Sequence, residues 1–407
     1  MSDSEIRELA NELMSDRSRF IYKPKELETF LVSRGIESKE EILLLSRYLV
    51  EGDIFRWLDF IGLKLPQLAS TDDDFVNLLS IIISKVKSDM AQGPFIRGLI
   101  NIGASNPKVG LELFEKMAES DDKDVVSYSG LILGGSGKKE FGRVFPRIVD
   151  NVKSQDSDIQ ATSIKALRVI FEDRNLSETA PNILEKVFQV LRDLTSPNVD
   201  SKIRSQVSNA YIDFYKFDPE QCYGRLKDLA QQKDSNIRFT IADRLFFIDL
   251  KDGKQEMALL KECSQDDNPY TLEKVAFALS KKGKYFPEES LEIIKDWTKR
   301  GKFYKINILE YCLQEIGKGN LDQCIKTIET WIRGEKDPLL RFHIPKILSK
   351  ISISNYTKLY SHLEKWSDGK ETDYHNIVVE TVKETLSSEN IPSEIVERGK
   401  NILKKMT

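Results

Sequence analysis

Long apolar runs are missing from this chain of 407 residues. No stretch approaches about 18 consecutive apolar residues, which excludes a membrane-spanning helix. Cysteine is scarce: Cys222, Cys263, Cys312 and Cys324 are scattered and form no C-x-x-C pair. They read as free buried thiols in a reducing compartment. There are 3 histidines, and no H-E-x-x-H, G-x-S-x-G or Cys–His signature accompanies them. That scarcity disfavours most nucleophilic and zinc chemistry. Glycine (21) and proline (13) are few as well. Their combined share is roughly 8%, below a usual share of about 12%, which argues against a turn-rich β protein and a disordered chain. Charge of one sign is also lacking. Lys plus Arg number 61 and Asp plus Glu 65, for a net charge of -4. A protein that binds nucleic acid with its whole surface is usually basic, so such binding would need a local patch. The polar, acidic start, Met1-Ser-Asp-Ser-Glu, has neither the basic flank nor the apolar core of a signal peptide, so the expected compartment is the cytosol.

What is present is a repeat. A five-residue block recurs near the end of a helical segment: Leu113-Phe-Glu-Lys-Met117, Ile148-Val-Asp-Asn-Val152, Val187-Phe-Gln-Val-Leu191, Arg225-Leu-Lys-Asp-Leu229 and Leu259-Leu-Lys-Glu-Cys263. It continues as Ile293-Ile-Lys-Asp-Trp297, Thr327-Ile-Glu-Thr-Trp331 and His362-Leu-Glu-Lys-Trp366. The steps between starts are 35, 39, 38, 34, 34, 34 and 35 residues. Spacing of i, i+1, i+4 puts the apolar side chains on one helical face. A short polar turn follows each block, such as Asp121-Asp-Lys-Asp, Gln155-Asp-Ser-Asp, Lys233-Asp-Ser-Asn or Glu335-Lys-Asp-Pro. Its Asp, Ser and Asn residues suit the cap of a next helix. That helix shows apolar spacing of its own, as in Ile159, Ile164, Leu167 and Ile237, Ile241, Leu245. Gly301, Gly334 and Gly369 follow the three Trp blocks and are expected to end helices in the left-handed conformation. The unit is therefore two antiparallel helices.

With a unit of 34–39 residues, an acidic or Asn-rich turn and an apolar second helix, the chain resembles the HEAT/armadillo-like α-solenoids over residues 40–390. The resemblance implies an all-α fold, a right-handed α-α superhelix of about eight to ten two-helix repeats. Residues 1–40 are assigned to N-terminal capping helices, 41–385 to the array and 386–407 to a C-terminal capping helix. Ser2–Glu5 and Ser38–Glu41 match capping boxes. One continuous array is expected, with a hinge where the period stretches near residues 170–220.

Four features bear on chemistry. Gly134-Gly-Ser-Gly-Lys-Lys139 is similar to a phosphate-binding loop, but Ile132 and Lys139 break the pattern, and a turn between helices is expected. His343, His362 and His375 lie on successive helices, with Glu364 or Cys324 as conceivable further ligands, yet they read as ordinary surface or half-buried histidines. Trp297, Trp331 and Trp366 share a position that Met117, Val152, Leu191, Leu229 and Cys263 fill earlier, so they read as core. Tyr211, Phe214, Tyr215, Phe217 and Tyr223 make an aromatic turn that suits either a partner or local packing.

In HEAT-like folds second helices line the concave side, and the polar pairs of the blocks are assigned there. The candidate partner-binding residues are accordingly Lys227, Asp228, Lys261, Glu262, Lys295 and Asp296, with Tyr215 and Phe217 of the aromatic turn. Lys281, Lys282, Lys284, Lys299, Arg300, Lys302 and Lys305 form a denser basic region split between two edges. The reading is a non-enzymatic scaffold for a protein or peptide, with no cofactor, no metal and no membrane association. The alternative is a nucleic-acid-binding protein akin to HEAT-like alkylated-base DNA glycosylases, which the mixed charge of the blocks disfavours. A HEAT-like lyase or hydroxylase is a weaker third reading.

Overall fold

The computed structural model describes residues 1–15, 23–86, 93–172, 181–250, 252–300, 306–334, 338–352, 355–369, 372–388 and 390–406. All regular structure among them is helical. The chain divides into two compact units, Met1–Phe217 and Asp218–Thr407. The boundary falls at the end of the stretch where the repeat lengthens.

The first unit contains α1 (Asp3–Ser15), α2 (Pro24–Ser33), α3 (Lys39–Leu68), α4 (Asp73–Lys85), α5 (Gly93–Ser105) and α6 (Pro107–Ala118). It continues with α7 (Lys123–Lys139), α8 (Phe141–Val152), α9 (Ser157–Glu172), α10 (Pro181–Asp193) and α11 (Ser201–Phe214). The second unit contains α12 (Pro219–Gln231), α13 (Ser235–Phe247), α14 (Gly253–Cys263), α15 (Pro269–Lys282), α16 (Pro287–Lys299) and α17 (Ile306–Gly319). It ends with α18 (Leu321–Gly334), α19 (Pro338–Ser352), α20 (Tyr356–Asp368), α21 (Thr372–Leu386) and α22 (Ser393–Met406).

The polar turns act as the sequence implies. Asp122 Oδ1 accepts from the amide of Asp124 at 2.9 Å, Asp156 from Asp158 at 2.7 Å, Asp234 from Asn236 at 3.0 Å and Asn268 from Tyr270 at 2.9 Å. Each satisfies an amide that the first helical turn cannot. Ser38 and Glu41 form the complete capping box of α3. The Glu335 turn lies outside the described residues. The glycine stops differ from expectation. Gly369 ends α20 with extended backbone (φ −74°, ψ 149°), Gly334 is the last residue of α18, and Gly301 lies outside the described residues. Trp366 O still accepts from the Gly369 amide at 3.2 Å, so no left-handed residue is needed there.

Short connections fold consecutive helices into antiparallel pairs. Alternate helices of one set also pack on one another, giving two layers. In the first unit α3, α5, α7, α9 and α11 stack in succession; in the second, α13, α15, α17, α19 and α21 do so. The helices between them form the other layer, which is more loosely spaced. This is the architecture of a HEAT/armadillo-like α-solenoid. Three polar side chains near the starts of close-layer helices close the unit from inside. Gln160 Nε2 donates to Val152 O at 2.9 Å, Arg238 Nε to Ala230 O at 2.8 Å and Arg341 Nη2 to Ile332 O at 2.6 Å. Each reaches back to a carbonyl left open at the end of the preceding helix.

The blocks lie on α6, α8, α10, α12, α14, α16, α18 and α20, in the loosely spaced layer. The helix after each polar turn takes the close layer instead. The block residues therefore belong to the more loosely spaced layer.

Glycine makes the close layer close. A Cβ on Gly103 of α5 would sit 2.1 Å from Ile132 O of α7, and one on Gly135 of α7 would sit 2.0 Å from Ile100 O of α5. Gly62 and Gly98 oppose each other between α3 and α5, and Gly130 and Gly134 meet Thr162 and Val169 of α9. The Gly134–Lys139 segment is thus the end of α7, not a turn, and its glycines are buried contacts. The Trp residues are core, as expected: Trp297, Trp331 and Trp366 are all buried.

Two outcomes follow. Gly135→Ala should lower stability by about 1–3 kcal/mol, since backbone faces the new methyl. Gly224→Ala, exposed in α12 with open space around it, should raise stability by about 0.5–1 kcal/mol. Urea melts of both variants read the opposite signs. The four thiols should also stay silent to a disulfide reagent at pH 8 until urea unfolds the chain. All are fully buried, and burial pushes Cys263 and Cys324 up to about 12.

Candidate functional site

The expected polar candidates hold neighbouring helices of the loose layer together. Lys261 Nζ lies 3.1 Å from Glu292 Oε2, joining α14 to α16. Glu262 Oε1 accepts from Gln231 Nε2 at 3.2 Å, joining α14 to α12. Asp296 accepts from Gln265 Nε2 at 3.2 Å and pairs with Arg300 at 3.0 Å. Asp228 pairs only weakly, at 3.4 Å, with Arg225 of its own helix, and Lys227 beside it is exposed. Each such surface contact is worth about 0–1 kcal/mol. Glu262 lines a polar cleft of ≈ 600 Å³ with Gln265, Arg238 and Asp266. Lys261, Lys295 and Asp296 line a smaller one of ≈ 310 Å³.

The aromatic turn is packing. Tyr215 is 2% exposed and Phe217 is half-buried. Phe217 lies 6.1 Å from Phe171 and 6.4 Å from Phe214, and those two lie 5.1 Å apart. Tilted and edge-on contacts of this kind suit aromatic quadrupoles in a core. Burial removes Tyr215 from any exposed partner surface and corrects its assignment to one. Phe217 spends much of its ring on the same cluster.

In the basic region Lys281, Lys282 and Arg300 are ion-paired, while Lys284 and Lys299 are exposed. Lys282 is buried between Asp249 at 2.8 Å and Glu256 at 2.9 Å. The Lys282 bond holds the Asp249 carboxyl below its ordinary range. Burial pushes Glu256 up, against the opposing pull of the Leu250 amide and Lys282. Lys281 reaches the same Asp249 at 3.4 Å, and Lys302 and Lys305 lie outside the described residues. Among the histidines, His343 and His362 are half-buried beside Glu310 and Asp322, and His375 is exposed. No metal-holding cluster of His, Cys, Asp and Glu occurs among the described residues.

Among the described residues, the second unit exposes four large aromatic side chains: Phe247 (65%), Tyr270 (67%), Tyr285 (68%) and Phe342 (78%). All belong to close-layer helices or the turns that follow them. Phe247 leans on Phe246 at 4.9 Å, and Phe246 on Phe277 at 6.1 Å, so one aromatic patch spans α13 and α15. Phe342 stands at a groove of ≈ 460 Å³ between α19 and α21, lined also by His343, Pro345, Lys346, Ile377, Glu380 and Glu384. Behind its α19 wall the fully buried Glu310 of α17 takes His343 Nδ1 at 3.0 Å and Lys350 Nζ at 2.7 Å, with Lys346 Nζ at 3.9 Å. One buried carboxylate thereby fixes His343 and Lys350 of α19 in place. Block periodicity points to the loose layer and passes over these residues. The available signals were single departures from pattern: Glu310 inside the apolar run Ile306–Leu313, and Phe342 beside polar Arg341 and His343.

No protein-family model matches the chain, and no curated protein matches it. Solved structures similar to it include Kap121p bound to Pho4p, at 10% identity over 94% of this chain and 55% of that one, TM-score 0.40. The Kap95:Nup1 complex aligns at 11% identity over 100% of this chain and 67% of that one, TM-score 0.39. An engineered protein aligns at 14% identity over 100% and 99%, TM-score 0.27. The chain spans about half the length of Kap121p.

One buried amine sets a pH dependence. Lys165 of α9 touches Ser127 O at 3.3 Å and Ser127 Oγ at 3.4 Å, and lies 4.8 Å from the Tyr128 ring centre. Burial, aided by the Arg168 charge, pushes it down from 10.5 to about 8. Below about pH 8 both folded and unfolded chains carry its charge, and the folded chain bears the full cost of burying it. Between about pH 8 and 10.5 the unfolded chain binds more protons, so stability from this site rises with pH. Urea melts from pH 7 to 10 should show Lys165→Met flattening that rise and gaining most at pH 7. An unchanged slope would place the amine's titration elsewhere.

Proposed function

We propose that the chain is a non-enzymatic HEAT-like scaffold that binds a protein or peptide partner. The observation that carries this reading is the exposure of Phe247, Tyr270, Tyr285 and Phe342 along one layer of one unit. A large aromatic ring left in water costs hydrophobic free energy, about 25 cal/mol per Å² of apolar surface. Exposed aromatic side chains on one layer are suited to be covered by a partner, because aromatic anchors dominate interface energetics. Repeat stacking supports such a role because the core lies between helices, leaving their outer faces free to vary. Lys227, Asp228, Lys261, Glu262, Lys295 and Asp296, on the opposite layer, offer a second, polar contact face. We place the protein in the cytosol, in keeping with its unpaired buried thiols.

The test is capture from the native lysate with nuclease present, by the wild-type chain and by a variant carrying F247A, Y270A, Y285A and F342A. A partner retained by the wild type and depleted at least tenfold by the variant is the expected result. Capture abolished by nuclease, with recovered DNA or RNA, would turn the reading to nucleic acid.

A further inference from the structure

The groove between α19 and α21 has two walls of opposite charge and an apolar floor. Pro345 and Ile377 form the floor, and both are buried. Phe342 stands beside it, 5.4 Å from the His343 ring and edge-on to it. Phe342 and Lys346 are four residues apart on α19, and Glu380 and Glu384 are four apart on α21, so each pair shares one helical face. The α19 wall carries Arg341, His343 and Lys346, of which Arg341 pairs with Asp373 of α21 at 3.3 Å. The α21 wall is acidic. Glu380 pairs with Lys383 at 2.8 Å, but Glu384 is exposed and has no ion pair among the described residues. Two carboxylates at i, i+4 repel each other and destabilise a helix. A cation placed between them would relieve that repulsion. On the other wall Lys346 keeps only a long contact, 3.9 Å, to Glu310, whose nearer partner is Lys350. Its ammonium is available to an incoming carboxylate.

We propose that this groove docks an amphipathic helix of a partner protein. The helix would carry a large apolar residue for the floor beside Phe342, an acidic flank toward Lys346 and a basic flank toward Glu380 and Glu384. The four-residue spacing on both walls matches the spacing of side chains along one face of a helix, the register by which grooves read helical ligands. The volume of ≈ 460 Å³ accepts the anchor and the stems of its flanking side chains. This inference rests on the scaffold reading and assigns it one address and one ligand chemistry.

The probe is a fluorescein-labelled, alanine-based helix of about 14 residues, long enough to be partly formed in water. It carries one leucine anchor, glutamates on one flank and lysines on the other. Anisotropy titrations use the full chain. Saturable binding by the wild type is expected, with affinity at least tenfold lower for Phe342→Ala. Glu384→Lys should weaken the probe similarly and bind better to a second peptide whose lysine flank is changed to glutamate. That exchange of preference requires direct contact and does not follow from unfolding. Both side chains are exposed, so thermal melts of the two variants should match the wild type. No binding by the wild type, or binding unaltered in both variants, overturns the proposal. Nuclease-resistant capture of a native partner alongside either result leaves the scaffold reading standing without this groove, whereas nuclease-sensitive capture removes that reading itself.

Discussion

Backbone-to-backbone approach in the close layer is the constraint on which the rest of the structure depends. Where Gly103 faces Ile132 O and Gly135 faces Ile100 O, no methyl group fits. In the second unit Gly283 and Gly317 instead meet the side chains of Ile316 and Ile351, while a Cβ on Gly319 would sit 2.1 Å from Lys284 O. A composition poor in glycine therefore concentrates several of its glycines inside helices, where their low helical propensity is offset by packing. Close spacing on one layer leaves the other more open. The open layer is then bridged by long polar side chains, such as Lys261 to Glu292 and Gln231 to Glu262, which span a gap that apolar contacts do not close.

This division gives several charges on the blocks a packing role. Most of those charges are engaged one repeat away, at sequence separations near 31 residues. Their role is lateral, holding one helix beside the next. The surface with unmet contacts lies on the other layer. There Phe342 and Phe247 stand in water and Glu384 carries no ion pair among the described residues. Buried ionic groups sit directly behind this layer. Glu310 gathers His343, Lys346 and Lys350, while Lys282 sits between Asp249 and Glu256. Such clusters add little net stability, because desolvation offsets the attraction. They do orient the side chains above them.

Period and caps were legible in the sequence because they are local. The i, i+1, i+4 blocks and the Asp or Asn turns are fixed by helix geometry and by the need to satisfy the first amides. The capping box at Ser38 and Glu41 and the last helix from Ser393 were readable for the same reason. The burial of Trp297, Trp331 and Trp366 followed from their alignment with smaller apolar residues. The Gly134–Lys139 segment differs from the expected turn because glycine signals a turn locally, whereas here it answers neighbouring helices 31–35 residues away in sequence. The aromatic turn is not legible as core because nothing local reveals Phe171 and Phe188, which come from earlier helices to meet Phe214 and Tyr211.

The sequence by itself determined the helical repeat, its length and its caps, since each depends on residues within one or two helical turns. Tertiary structure alone decided which layer lies close and which open. That outcome depends on which backbones touch across a repeat, and a period of 34 residues is the same whichever helix of the pair takes the close layer. It also decided that Glu310 is buried among three basic groups and that Phe342 is not covered. Both follow from the register of α17, α19 and α21 against one another, a relation set by packing between segments more than 30 residues apart.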